Sequence, residues 1–227
     1  MSNYLINTYE TYETITDILH DIYLGDIEES DIVDFLVYLE DIGDNSYTIF
    51  NEFLRIIYSL NDLYINSLDF TNLTNIGFKT PRELIYFDIG FGDYYANTDK
   101  FDLPKIIVNS FDYEKEIFDI LNIDYISELG RGANGVAYEL TNGKVLKITK
   151  DNSEAYNSCI IMNNQIKKDN LVNIHYVAEI VYEEFSDMDL EKTYVIIQDK
   201  VKIDKGLIKQ TYDVINKHYS NFKQWLN

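Results

Sequence analysis

The sequence predicts an α+β fold in which a helical segment packs with an antiparallel β-rich segment. Three patterns carry this reading. Residues 1–65 repeat apolar side chains at helical spacing, residues 124–201 alternate apolar and polar around an Asn-Gly turn, and residues 205–226 return to a helical rhythm. The division falls near residue 110, giving segments 1–110 and 111–227.

The elements follow in chain order. Leu5, Tyr9, Tyr12, Ile15, Leu19 and Ile22 give a helix over 4–24 that ends at Gly25. Ser30 is placed to cap a second helix that runs through Ile42 and stops at Gly43. A third, over 46–65, carries Ile49, Phe50, Phe53, Ile56, Ile57, Leu60 and Leu63, an apolar face wide enough for a central buried helix. Two short strands, 75–79 and 84–88, are joined around Thr80 and Pro81, and 91–110 is expected to be irregular. Beyond it come a helix over 113–121 and a hairpin turning on Thr141, Asn142, Gly143 and Lys144. A helix over 152–166, strands over 172–184 and 192–201, and a closing helix over 205–226 complete the chain, with no internal repeat.

Composition sets bounds on function. A chain of 227 residues buries roughly 70–75% of its unfolded surface, enough for one domain or a close two-lobe pair. Hydrophobic content of 46% with only two prolines argues for a folded protein rather than linkers. No apolar run reaches the ~20 residues of a membrane span, and the first residues lack the basic-then-apolar order of a signal peptide. A single cysteine, Cys159, excludes an internal disulfide framework and fits a reducing cytoplasm. The net charge is −20, and residues 1–110 hold 20 acids against 5 bases. Such a field repels phosphate backbones and argues against direct nucleic-acid binding. It leaves a solvated surface, or a docking face for a basic protein partner.

Three groups of residues can carry chemistry. Gly130, Gly132 and Gly135 fit G-x-G-x-x-G. The residues after them alternate like a strand and run into the Asn-Gly turn, so the glycines lie within a hairpin rather than between a strand and a helix. There, bare backbone can approach a triphosphate; the plainer reading is a glycine-rich turn. Lys147 stands alone in the apolar strand 145–149, on the face opposite Leu146 and Ile148. It can reach phosphates, with Glu154 on the next helix holding its ammonium, or it can simply face solvent. Asp88 ends an apolar run, where a carboxylate is costly to bury unless paired or metal-bound. Asn75, 13 residues earlier, can join it in a magnesium site, and Asp69, six residues before Asn75, can accept a proton near a transferred phosphoryl group. Asn75 as a turn residue and Asp69 as a helix-end cap are the structural alternatives.

Together these residues resemble the protein-kinase superfamily, in particular small kinase-like proteins of bacteriophages. The resemblance covers 66–93 and 124–202. It implies a two-lobe kinase-like fold that binds ATP and Mg²⁺, acting in the cytoplasm on a protein. Gly130, Gly132 and Gly135 would form the nucleotide loop, Lys147 the phosphate lysine and Glu154 its partner, and 197–200 the adenine hinge. Asp69 would be the catalytic-loop aspartate, and Asn75 and Asp88 the metal ligands. Ser67 stands where the pattern has His, the Asp69-to-Asn75 gap is one residue longer than the pattern, Ile89 replaces Phe, and no activation segment follows Gly90. The order is also reversed, since Asp88 precedes the glycine loop. Joining 111–227 ahead of 1–110 restores the usual order, which implies a circular permutation.

Overall fold

The computed structural model describes residues 29–44, 46–63, 75–80, 83–90, 96–109, 113–163, 169–183 and 191–226. The predicted helix over 4–24, and Asp69 with the loop around it, lie outside these residues. The described chain is a mixed α+β structure built of five α-helices, a six-stranded sheet and a separate two-stranded hairpin.

The helical part begins with α1 (Glu29–Asp41) and α2 (Tyr47–Asp62). Ile32, Phe35 and Leu39 recur at helical spacing on α1 and are all buried. Gly43, at φ +73°, closes α1: its N–H and that of Asp44 reach back to the carbonyls of Glu40 and Leu39. Phe50, Phe53, Ile56, Ile57 and Leu60 line the buried face of α2. The strands β1 (Ile76–Thr80) and β2 (Glu83–Tyr86) then pair antiparallel. Asp88 lies just past β2 rather than within it.

The large sheet uses β3 (Lys105–Val108), β4 (Tyr125–Arg131), β5 (Gly135–Leu140), β6 (Lys144–Thr149), β7 (Ile174–Tyr182) and β8 (Thr193–Asp199). Its order is β3-β7-β8-β6-β5-β4. The strands within 124–201 are antiparallel throughout, as the alternation and the Asn-Gly turn predict. The predicted irregular stretch 91–110 needs correcting, because Lys105–Val108 pairs in parallel with β7 at Lys105↔Glu179 through Val108↔Tyr182. Four residues behind a proline make a weak signal, and the partner strand lies far along the chain.

Three further helices complete the fold: α3 (Tyr113–Leu121), α4 (Asn152–Asn163) and α5 (Lys205–Leu226). Each sheet face has its own core. Helix α3 places Ile117 and Phe118 against Val136, Tyr138, Leu146, Ile148, Val195 and Ile180 on one face. On the other, Val177, Tyr194 and Ile196 join α1, α2, α4, α5 and the β1–β2 hairpin. Burial on both faces explains why Thr193 to Ile196 are all buried instead of alternating. Helix α5 packs along α2, with Ile215, His218 and Phe222 turned inward. No described helix is long and apolar enough to cross a membrane.

His218 is a titratable group inside this helical core. Ser46 donates its hydroxyl to Asp44 Oδ1 at 2.6 Å, so the 2.8 Å contact between Ser46 Oγ and His218 Nε2 makes the imidazole the donor. Burial lowers the His218 pKa, with Lys217 adding to the effect and Asp44 opposing it, while the Phe50 ring covers the imidazole. The folded protein therefore disfavours the imidazolium that the unfolded chain accepts. Stability conferred by neutral His218 is complete above the ordinary value of 6.5 and is lost as pH falls below it. In urea titrations the unfolding free energy should drop across that window. His218→Gln should flatten the drop, and an unaltered slope in the variant would locate the pH dependence elsewhere.

Candidate nucleotide site

The site forms where β6, α4 and the segment after β2 converge. Register places Lys147 opposite Ala137 on one side and Ile196 on the other, so its side chain leaves the sheet on the face shared by Val145. Helix α4 follows after two residues and is capped by Asp151, whose Oδ1 accepts from Ser153 N at 2.9 Å and Glu154 N at 3.1 Å. That cap fixes the first turn and aims Glu154 at Lys147. Asp88 comes from the opposite side, at the exit of the β1–β2 hairpin.

The result is one ammonium held by two carboxylates. Lys147 Nζ donates to Asp88 Oδ1 at 2.9 Å and to Glu154 Oε1. Glu154 is buried, Lys147 is nearly so, and Asp88 retains about a third of its side-chain exposure. Burial works to lower the Lys147 pKa, but the charges of Glu154 and Asp88 outweigh it and hold the ammonium above its ordinary value. For Glu154, burial and the Asp88 charge push the carboxyl up against the pull of Lys147.

These residues border a cleft of about 880 Å³. One wall is the glycine hairpin of β4 and β5, with Leu129, Gly130, Gly132, Gly135 and Val136, and the opposite wall includes Phe87, Asp88 and Gly90. Gln198 to Ile203 line the far end, a stretch that overlaps the expected hinge at 197–200 and continues three residues past it. This segment is anchored to the hairpin by Phe78 N donating to Lys202 O at 2.9 Å.

The three loop glycines differ in what demands them. A Cβ at Gly135 would stand 1.9 Å from the Ile148 carbonyl oxygen, so the β5–β6 pairing itself requires glycine. At Gly130 and Gly132 a Cβ would meet open space. No neighbour in the described chain calls for glycine there, and the bare backbone of the hairpin is left accessible. Arg131, between them, turns away from the cleft and forks onto Glu114 of α3 at 2.8 and 3.1 Å, with Tyr138 and Glu128 alongside. Burial and Glu114 push the Tyr138 hydroxyl up to about 12, leaving it a proton donor.

Asn75 reaches the same region less directly. Its carbonyl accepts from Phe87 N at 3.0 Å, which sets it beside the residue preceding Asp88. Its side chain is buried and does not line the cleft wall. The geometry thus joins Lys147, Glu154 and Asp88 in one cluster, puts the three glycines on the cleft wall, and holds Asn75 behind it. Asp69 falls outside the described residues.

Three residues of the site have no counterpart in the sequence reading: Asp151, Asn157 and Arg131. Asn157 is buried on α4 and donates to Ile89 O at 2.7 Å, tying the segment after Asp88 to the helix. A Cβ at Gly90 would lie 2.6 Å from Asp151 Oδ2 and 3.1 Å from Glu154 Cβ, so glycine is what allows this approach. Further along, Asn152 donates to Ala96 O and accepts from Tyr194, whose hydroxyl also meets Thr98 Oγ1 at 2.8 Å. A sequence signal existed for α4, since N-S-E-A-Y-N-S-C lacks the one-sided apolar pattern of an ordinary packing helix.

Comparison with protein-family models, with curated proteins and with solved structures finds no match to any of them. The functional reading therefore rests on the geometry of the cleft.

Removing the cation should expose its role. In Lys147→Met, Glu154 and Asp88 face each other without a counter-charge, and losing one partner of a buried pair costs about 3–5 kcal/mol. The Glu154 carboxyl, already raised, rises further. A raised carboxyl gives stability that is present below its unfolded value of 4.5 and lost as pH climbs. Thermal melts should show Lys147→Met falling away from wild type as pH increases, with Glu154→Gln in that background recovering most of the loss. A pH-independent deficit would mean that the lysine acts through packing alone.

Proposed function

We propose that this chain is a circularly permuted, two-lobe protein-kinase-like protein that binds ATP with Mg²⁺ in the cleft and transfers a phosphoryl, or a nucleotidyl, group to a protein. The observation that carries the reading is the Lys147–Glu154–Asp88 cluster. A strand lysine behind a glycine hairpin meets a helix glutamate and an aspartate that lies 59 residues away in the chain.

Each side chain has a task in such a reaction. The N–H groups of the glycine hairpin offer donors to the terminal phosphates. Lys147 contacts the phosphates nearer the ribose, and Glu154 keeps it from swinging away. Asp88 keeps a partly exposed carboxylate in the cleft, and one ammonium against two carboxylates leaves negative charge over, so the donor set fits a hard divalent cation. Magnesium bound there would supply charge neutralisation across the phosphates. Asn75, held behind the cleft wall, is a metal ligand only by the resemblance, as Asp69 is by the resemblance the proton acceptor for the attacking hydroxyl. Leu129, Ala137, Val145, Val201 and Ile203 provide apolar walls for a base. The packing of α5 on α2 also supports the permuted order, since it brings the end of 111–227 onto the helices of 1–110.

A second reading is favoured by the chain beyond Gly90. Residues 96–108 are taken up in docking onto α4 and in forming β3, where a substrate-binding segment would otherwise be expected. Helix α1 meanwhile exposes Asp34, Glu40 and Asp41 beside Val33 and Val37. In this reading the chain is an inactive, acidic member of the same fold that blocks a basic partner such as a nucleic-acid enzyme.

Calorimetry with ATP, with and without Mg²⁺, separates the two readings from a chain that binds no nucleotide. Binding should require the metal. Asp88→Asn should weaken it about tenfold or more through loss of a charged ligand. Lys147→Ala should slow transfer of labelled phosphate on the order of a hundredfold. Binding without any transfer would favour the inactive reading, and no binding at all would end the kinase-like one.

A further inference from the structure

We propose that Gln198 reads the group at position 6 of a purine base, so that the cleft accepts adenine and guanine nucleotides alike. This rests on the nucleotide reading given above and deepens it.

The register of the sheet fixes where Gln198 points. It pairs with Val145, two residues from the Lys147↔Ile196 pair, so Ile196 and Gln198 share the face of Val145 and Lys147. The intervening Val195 and Ile197 belong to the opposite core with α3. Gln198 therefore stands one side-chain row, about 6–7 Å, along the strands from the lysine. It is 3% exposed, lines the cleft, and is the polar residue that follows the apolar run Val195 to Ile197.

A buried carboxamide is costly unless it is hydrogen-bonded. Among the described residues no hydrogen bond engages this amide, and its atoms are not sealed off as the unpartnered Ser158 hydroxyl is, so they stay open to the cleft. Its neighbours on the cleft wall are Val145, Ala137, Val201 and Ile203, which suit the faces of a flat ring and offer the ring edge nothing polar from their side chains. An amide there can supply what they do not. Its oxygen accepts from the 6-amino group of adenine, and turned over, its nitrogen donates to the 6-oxo group of guanine. With no described residue fixing the orientation, either arrangement is open to it. A site whose recognising group can serve as donor or acceptor discriminates poorly between the two bases.

The test measures affinity of the full chain for ATP, GTP, purine riboside triphosphate (which has hydrogen at position 6) and inorganic tripolyphosphate. In wild type, ATP and GTP should bind within about fivefold of each other, and purine riboside triphosphate about tenfold more weakly than ATP, the loss of one hydrogen bond. Gln198→Met, similar in volume, should bring all three nucleotides to the weaker level while leaving tripolyphosphate unchanged. The ligand series on wild type stands even if the variant fails to fold. A preference for ATP over GTP beyond a hundredfold would overturn the proposal, as would equal binding of ATP and purine riboside triphosphate. Failure of wild type to bind any of the four would instead remove the nucleotide reading, and this inference with it.

Discussion

Lys147 is a cation buried between two carboxylates that arrive from opposite sides of the molecule, and much of the architecture serves to bring them there. A charge in this setting is tolerated only when its partners are held in place. Glu154 is held by the Asp151 cap and by a helix that buries Ser153, Asn157 and Ser158 along with Ala155 and Cys159. Asp88 is held by Asn157 on the carbonyl of Ile89 and by the close approach of Gly90 to α4. Loss of either support would leave the ammonium short of a partner, so packing and electrostatics are coupled here.

The chain beyond Asp88 reinforces the same arrangement. Ala96 and Thr98 bond to Asn152 and Tyr194, Asp99 pairs with Lys192, and Phe101 packs edge-on against Tyr156 of α4. The segment then enters the sheet beside β7. Helix α4 is thereby gripped between the sheet and the strand of chain that carries Asp88 onward. An arrangement of this kind keeps Glu154 against Lys147 without any further component. The amides of Asn152 and Asn157 on this helix are satisfied by the carbonyls of Ala96 and Ile89.

Much of this was legible in the sequence, and the exceptions have physical causes. The alternation after Gly135 and the Asn-Gly turn identify the β5–β6 hairpin, and that hairpin fixes the face of Lys147. The heptad-like spacing of Ile208, Ile215 and Phe222 marks α5. Strand β3 was not legible, because its parallel partner is distant and a four-residue run behind Pro104 reads as loop. Gln198 fell within the expected hinge, but V-I-I-Q-D is apolar on both faces, so period-2 alternation cannot say which way its amide points. Asn157 was hidden because an asparagine within a helix ordinarily reads as a surface residue, and its partner is a backbone carbonyl that no sequence pattern announces. Asn75 was legible as a neighbour of Asp88 but not as a buried one.

Reaction of the folded chain with an acyl-phosphate derivative of ATP tests the central claim most directly, since such a probe transfers its acyl group to an amine lying against the phosphates. Mass spectrometry of the digested protein then identifies the modified lysine. Acylation should concentrate on Lys147 and be suppressed by excess ATP with Mg²⁺. Modification confined to exposed lysines such as Lys105, Lys150 and Lys217, indifferent to ATP, would contradict it.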